Sequence, residues 1–403
     1  NEARERMILD PSIINLNTGS FGPLPHPVFD RVTELRHWLA AEPTHFFVRQ
    51  MPPLLWTARD RLANYLGTVS SRLVFTSNVS AAINIVASGL SISTPGEILL
   101  TDHEYGAMHW CWERVAQRSG LTLRMFPLPT MASDPGEIVE AARKAMNPRT
   151  RLFFFSHVLS STGLVLPAKE LCAEAKRHGI TTVVDGAHAP GMIPLNINEI
   201  GADFYTGNCH KWMLVPTGTG FLVIGPGNED RLQPMHVSWG YRPDQYPLTD
   251  QEPLRRDPDR PDPFGSTRRT RFLEFEGTRD ICPWLSVPEA IDFQAQIGVE
   301  RICTRIEELV QCTREKIGGL GLKLATPSTH GMHGSLTAFE LPFTGPEKAA
   351  ALRKELWTHR IEVPVIERPD RNLIRVSTHF YNTHGEIDRL AEILPGAMKN
   401  TSA

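Results

Sequence analysis

Short apolar runs alternate with helically spaced segments through the middle of the chain. The runs are "LVFT" from Leu73, "EILLTD" at 97–102, "LTLRMFPL" at 121–128, "TRLFFFSHV" at 150–158, "TTVVDGAHA" at 181–189, "ADFYTGN" at 202–208 and "GTGFLVIG" at 218–225. Alternation of this kind predicts a largely parallel sheet covered by helices, an α/β fold. Between two of the runs, "PAKELCAEAKRHGI" carries Leu171, Ala175 and Ile180 near helical spacing and stops at His178-Gly179. That pattern predicts a crossover helix.

Residues 241–271 change character to Pro, Asp and Arg, which predicts a long surface excursion too polar for a core element. Beyond it, 286–320 reads as one or two helices. Strands are expected at 322–341, 361–366 and 372–377, with a helix at 345–359, together forming a smaller lobe. The organisation expected is an N-terminal segment (1–20), a large domain (21–280) and a small C-terminal domain (281–403).

Composition narrows the function classes. The 403 residues are long enough for two lobes with cores, and a formal charge of -3 provides no basic field for nucleic acid. The six cysteines show no CxxC pair, which argues for free thiols in a reducing, cytoplasmic compartment rather than for disulfides or zinc. No apolar run reaches the ~18 residues of a membrane span. Because the sequence begins at Asn1, the expectation allows for a leader that has been removed. A metal hydrolase using the 15 histidines is disfavoured, since no HExxH or comparable ligand spacing occurs.

The chain holds nine lysines against 33 arginines, and eight of the nine sit in ordinary surface contexts. Lys211 follows an apolar strand and precedes "WMLVPTGTGFLV", where desolvation would lower its pKa and make its amine a nucleophile. A lysine that merely snorkels from a strand end is the bland alternative. Asp185, in "VVDGAHA", stands at the carboxyl end of another strand, where α/β folds place ligand-binding residues. A carboxylate that holds a pyridinium nitrogen, together with a Schiff-base lysine, is the signature of pyridoxal phosphate chemistry. A simple helix cap is the competing role for Asp185.

Upstream, the polar turn Thr76 to Ser80 opens an apolar helix and suits a phosphate, although Ser80 as a plain N-cap is equally ordinary. In "TDHEYGAMHW", His103 or Tyr105 would lie on a pyridine ring, or be ordinary strand-end residues. Arg375, ending the apolar run in "LIRVSTHFYNT", would either capture a carboxylate or pair permanently with an acid such as Glu367 or Glu362.

Taken together, the motifs "INLNTGSFGPLP", "TSNVSAAIN", "DHEYGA", "SHVLSSTGLVLP", "VVDGAHAPG", "YTGNCHKW" with "PTGTGFL", "FEGTRD" and "IRVSTHFYNT" resemble the class V aminotransferase group of fold-type I pyridoxal phosphate enzymes, in its isopenicillin N epimerase-like branch. The resemblance implies a large domain with a mainly parallel seven-stranded sheet, a smaller α+β domain, and pyridoxal 5'-phosphate as cofactor. It implies that Lys211 forms the Schiff base and shuttles the Cα proton, that Asp185 pairs with the ring nitrogen and that His188 lies near the phenolic oxygen. His103 matches the ring-stacking position, with Tyr105 in reserve. Asn78, Val79, Ser80, Asn208 and His210 would surround the phosphate. Gly277 and Thr278 would reach it from the other subunit of a homodimer. Arg375, with Asn17 and Ser20, would hold an amino-acid-like substrate.

The region "THRIEVPVIERPDRN" lacks the cysteine that cysteine desulfurases of this class carry, which disfavours persulfide chemistry but not direct β-elimination. Epimerisation, carbon-sulfur lysis and transamination all stay open, with epimerisation placed first. A non-catalytic protein that retains the fold is the alternative from another class.

Overall fold

The computed structural model describes residues 2–242 and 257–402. Strands are numbered along the chain: β1 (Ile14–Asn15), β2 (Leu73–Thr76), β3 (Glu97–Thr101), β4 (Thr122–Phe126), β5 (Thr150–Ser156), β6 (Thr181–Gly186), β7 (Phe204–Asn208) and β8 (Gly220–Ile224). After these come β9 (Leu336–Glu340), β10 (Ile361–Glu362), β11 (Val365–Glu367) and β12 (Asn372–Ser377). The main sheet has seven strands in the order β2-β8-β7-β6-β5-β3-β4, with only β8 running against its neighbours.

Apolar runs without alternation are what a sheet covered on both faces requires. Along β5, Phe153 and Phe155 enter one core with Val184, Tyr205 and Phe221. Phe154 enters the other with Val183, Phe204 and Leu222. The expected crossover helix is present as Ala168–Arg177 and stops where His178 and Gly179 predict.

The small lobe is built from β11-β12-β9 and the helices Val299–Gly318, Pro346–Thr358 and His384–Ser402. Three details correct the sequence reading. Residues 281–290 belong to the large-lobe core, because Ile281, Trp284, Leu285, Val287 and Ala290 pack with Leu55 and Leu62. Of the stretch 322–341 only Leu336–Glu340 is strand, since Pro327, Gly331 and Gly334 break what precedes it. Finally, the end of the 241–271 excursion is no surface loop. Residues 243–256 lie outside the described region, but Asp262 and Arg271 form a buried ion pair at 3.0 Å. Thr267 then caps the helix Arg268–Glu274. The charged composition there signals internal pairing rather than solvent.

The N-terminal segment is strapped across both lobes. β1 pairs with β10 of the small lobe, and Gly22 donates its N–H to the His210 carbonyl of the large lobe at 2.9 Å. This strap helps to enclose the cavity described next.

Candidate active site

A cavity of about 410 Å³ lies at the carboxyl ends of β5, β6 and β7, and the N-terminal strap forms part of its wall through Gly19, Ser20 and Phe21. That is the position at which open α/β sheets bind ligands. Lys211, Asp185, His188 and Arg375 line it together, as do Asn78, Val79, Ser80, Asn208 and His210.

Lys211 is presented just past β7, where the chain turns back on itself. Cys209 donates to the Thr219 carbonyl at 3.0 Å, and Val215 donates to the Cys209 carbonyl at 3.1 Å. The turn holds Leu214 at φ 59°, a left-handed conformation that a branched side chain adopts at a cost and that clusters at functional sites. Gly22 packs so closely that a Cβ there would fall 2.2 Å from the Lys211 carbonyl oxygen, so the strap requires glycine at this point. The lysine Nζ lies 3.1 Å from His188 Nε2. Burial pushes the Lys211 ammonium down to about 7; the Arg375 charge adds to this, and Asp185 opposes it. A lysine so placed supplies a neutral amine near neutrality. His188 is held neutral by burial and by the Lys211 and Arg375 charges, and its Nδ1 has no partner.

Asp185 ends β6 with one carboxylate oxygen accepting the Ala187 N–H at 2.8 Å. Burial raises its pKa, with the Ala187 bond and the Lys211 charge opposing. Behind it, His157 Nδ1 pairs with the Tyr205 hydroxyl at 2.7 Å, and burial lowers the His157 pKa to about 4, so the ring is neutral. Glu104 completes this polar floor, accepting from Thr101 Oγ1 at 2.5 Å and from Ser156 Oγ at 2.6 Å. Burial lifts the Glu104 carboxyl to about 7, and Asp185 adds to the rise. Sequence reasoning missed Glu104, although it stands inside the "DHEYGA" motif.

At the opposite end of the cavity, Asn78 caps the helix Val79–Gly89 by accepting the Ala81 N–H at 2.9 Å. Asn208 Oδ1 accepts the Val79 N–H at 2.9 Å, which ties the helix start to β7. Gly220 lets β8 pass so close that a Cβ would lie 2.7 Å from the Asn78 Cα. His210 leaves its Nδ1 unpartnered beside this helix start. A helix N-terminus together with an unsatisfied imidazole nitrogen fits an anion. A phosphate there, a pyridine nitrogen at Asp185 and an aldehyde carbon at Lys211 are what pyridoxal 5'-phosphate would present, so the residues fit that cofactor.

Arg375 comes from β12 of the small lobe and is buried. It donates to the Ser160 carbonyl at 2.5 Å, to Ser160 Oγ at 3.1 Å and to Asn17 Oδ1 at 3.3 Å, while its Nε has no partner. Among the described residues no carboxylate pairs with it. Glu367 pairs with Arg353, and Glu362 accepts from Asn17. Desolvation lowers even this guanidinium to about 10, which marks how poorly its charge is compensated. Ser160, another residue the sequence reading did not single out, lies within the quoted "SHVLSSTG" motif.

Four expected site residues lie off the cavity wall. The His103 ring turns toward Asp102, with Nδ1 2.6 Å from Oδ1, whereas Tyr105 lines the cavity. Asn17 acts through Arg375 and Ser20, accepting the Ser20 hydroxyl at 2.8 Å. Gly277 and Thr278 stand at the protein surface, Thr278 exposed. None of the six cysteines lines the cavity.

The Aminotransferase class-V family model matches residues 15–390. The chain is 55% identical over 397 residues to the isopenicillin N epimerase of Amycolatopsis lactamdurans, covering 97% of each sequence. It is 54% identical to that of Streptomyces clavuligerus, covering 98% of this chain and 97% of the relative. At greater distance, a probable cysteine desulfurase of Methanothermobacter thermautotrophicus is 27% identical, with 94% of each chain covered. The complex of the cystine C-S lyase C-DES with its product cysteine persulfide superposes with a TM-score of 0.79 at 24% identity, over 95% of this chain and 97% of that one. A cysteine desulfurase from Thermococcus onnurineus NA1 also gives 0.79 at 24% identity, over 99% and 98%. The chain is a pyridoxal phosphate-dependent enzyme and belongs to the class V aminotransferase family.

Proposed function

We propose that the enzyme inverts the configuration at Cα of an amino acid or amino-acid-bearing metabolite. The observation that carries this reading is that a buried amine, Lys211, and a buried guanidinium without a carboxylate partner, Arg375, share one cavity. When bound, pyridoxal phosphate supplies the electron sink that acidifies the Cα–H bond. Asp185 would keep the ring nitrogen protonated, and Asn78, Val79, Ser80, Asn208 and His210 would hold the phosphate. Lys211 moves the Cα proton at its Nζ. Arg375 holds the substrate carboxylate by a two-point hydrogen bond, with Asn17 and Ser20 orienting it. Inversion needs a second proton donor facing Cα, and Tyr105 is the candidate whose side chain lines the cavity.

The identity to epimerases supports inversion, and the absence of a cavity cysteine stands against persulfide transfer. Direct carbon-sulfur lysis is the second reading, favoured by the likeness to the cystine lyase fold. Incubation with L- or D-amino acids in deuterated buffer separates the two. Inversion gives Cα deuterium with appearance of the other enantiomer on a chiral column. Sulfur release from cystine without inversion overturns the epimerase reading.

The substrate-sized cavity is one part of the proposed assembly; a homodimer with shared sites is the other. Gly277 and Thr278 lie at the surface and outside their own chain's cavity, as groups donated to a symmetry-related phosphate would. Cofactor retention should therefore fall when the protein is diluted until sedimentation shows monomer. A monomer that keeps full cofactor overturns this assignment. Among the described residues no helix is long and apolar enough to cross a membrane. The unpaired cysteines support a cytoplasmic location.

A further inference from the structure

The floor of the active-site cavity holds a second carboxyl group beside Asp185. Glu104 stands in the turn after β3, and both its carboxylate oxygens are met by hydroxyls, Thr101 Oγ1 at 2.5 Å and Ser156 Oγ at 2.6 Å, rather than by a cation. Ser156 itself lines the cavity and lies opposite Asp185 in the parallel register of β5 and β6. Residues so paired project to the same face at the strand spacing of about 4.8 Å, so one serine side chain links Glu104 to the position next to Asp185. Burial lifts the Glu104 carboxyl to about 7, and the Asp185 charge contributes to the rise. Other ionisable groups close by are already engaged. His157 and Tyr205 pair across β5 and β7 at 2.7 Å, and Asp102 and His103 pair at 2.6 Å on Glu104's own segment. Arg368 of the small lobe donates to the Asp102 carbonyl at 2.9 Å, Tyr105 lines the cavity, and Lys211 acts on Asp185. A tie between β3 and β5 is the plain structural role for Glu104. A glutamine could make the same two contacts, one as acceptor and one as donor. What only a glutamate adds is a charge that depends on pH.

We infer that Glu104 is a positioning residue that acts through Asp185: its ionised carboxylate adds negative charge to the floor and so strengthens the hold of Asp185 on a protonated pyridine nitrogen. This inference rests on the proposed pairing of Asp185 with that nitrogen. A negative group favours the charged form of a nearby cation. By reciprocity, the ring cation favours the ionised form of Glu104 by the same factor. As the pH rises, Glu104 releases one proton to solvent, and the Thr101 and Ser156 hydroxyls donate to the carboxylate that remains. The added hold is therefore present above the pH at which Glu104 ionises and absent below it.

The test measures affinity and needs no turnover. Pyridoxine 5'-phosphate keeps the ring nitrogen but has no aldehyde to bond Lys211, and a second probe carries C–H in place of that nitrogen. Both are titrated against the cofactor-free protein at about pH 5.5 and about pH 8.5, on either side of the Glu104 transition, with quenching of tryptophan fluorescence as the readout. The ratio of the two dissociation constants is the preference for the ring nitrogen; phosphate contacts cancel within it, and the probes' own ionisation cancels between proteins. At the higher pH, Glu104→Gln should lose about fivefold or more of the wild-type preference, the scale of one charge acting through a partly screened interior. At the lower pH the two proteins should agree within about twofold, because the wild-type carboxyl is then as neutral as the amide. Ser156→Ala removes one donor to the carboxylate, so the pH at which the preference develops should move up by about half a unit. Melting temperatures identify a misfolded variant, and the other variant then decides. Equal preferences in wild type and Glu104→Gln at both pH values, or an unmoved transition in Ser156→Ala, overturn the role. A loss of the same size at both pH values marks Glu104 as merely structural and overturns it too. If the wild type prefers the ring nitrogen at neither pH, the pairing at Asp185 itself fails, and this inference with it.

Discussion

Arg59 and Arg375 are both buried, yet their surroundings are opposites. Arg59 meets Glu274 through two contacts at 2.6 and 3.0 Å, and the same carboxylate accepts the Phe75 N–H at 3.0 Å and the Ser266 hydroxyl. That region joins β2 to the helix Arg268–Glu274 and satisfies its charges internally. Arg375 has only a serine, a backbone carbonyl and an asparagine for company, and its neighbours Lys211 and His188 add positive charge or an unmet nitrogen. Isolated buried charge is costly. An uncompensated Arg375 is what the proposed capture of an external anion calls for, whereas the Arg59 pair is architecture.

The sharpest way to break this contrast is at Lys211. Lys211→Ala should lower turnover by at least about 10²–10⁴-fold, the range for loss of a positioned acid–base group, while the denaturant midpoint stays near wild type. Near-normal turnover would remove Lys211 from the mechanism. In the other region the expectation reverses. Arg59→Met strands Glu274 and should cost roughly 3–5 kcal/mol of stability, measured by urea unfolding, whereas Arg375→Met should be neutral or stabilising because it removes a charge without a partner. If Arg375→Met unfolds the protein and Arg59→Met does not, the distinction between architecture and site is inverted.

A smaller effect sharpens the role of Arg375 itself. Arg375→Lys keeps the charge but loses the planar fork, and should weaken amino-acid binding by about 1–3 kcal/mol with the visible spectrum of the loaded enzyme unchanged. Amines without a carboxylate should bind the variant and the wild type alike. An equal loss for both ligand types would detach Arg375 from carboxylate recognition.

What the sequence revealed follows the same division. The inner strands of the main sheet were legible because both faces are covered, which makes their runs continuously apolar, whereas the edge strand β4 is partly exposed. Lys211, Asp185 and Arg375 were legible because a charge at the end of an apolar run needs a reason. Glu104 and Ser160 were not, since their meaning depends on which strands become neighbours: Ser156, the partner of Glu104, comes from β5. Asp262 and Arg271 were hidden for a related reason. Their composition resembles a solvated loop, and only their buried ion pair with each other shows them to be interior. The His103 ring was equally undetermined, because its turn toward Asp102 is a local conformational choice.

The last expected effect is a shift in a pH midpoint. In the role proposed for Lys211, its amine would have to be neutral to bond to the cofactor. With its pKa pushed down to about 7, the rate at which cofactor-free protein takes up pyridoxal phosphate should rise with pH below 7 and level off above it. An ordinary lysine would go on gaining rate by about tenfold per unit up to roughly pH 10.4. The Arg375 charge is one of the forces that lowers this pKa, so removing it makes protonation of Lys211 easier and moves the midpoint upward. In Arg375→Met the midpoint should rise by on the order of one unit or less, the scale of a single charge acting through a partly screened interior. Arg59→Met, studied at a temperature where it stays folded, should leave the midpoint where it is, because the Arg59 charge is already neutralised by Glu274. The measurement is a stopped-flow series of cofactor uptake across pH 5 to 10. Equal shifts in the two variants would show that Arg375 acts on Lys211 no more than a distant paired charge does.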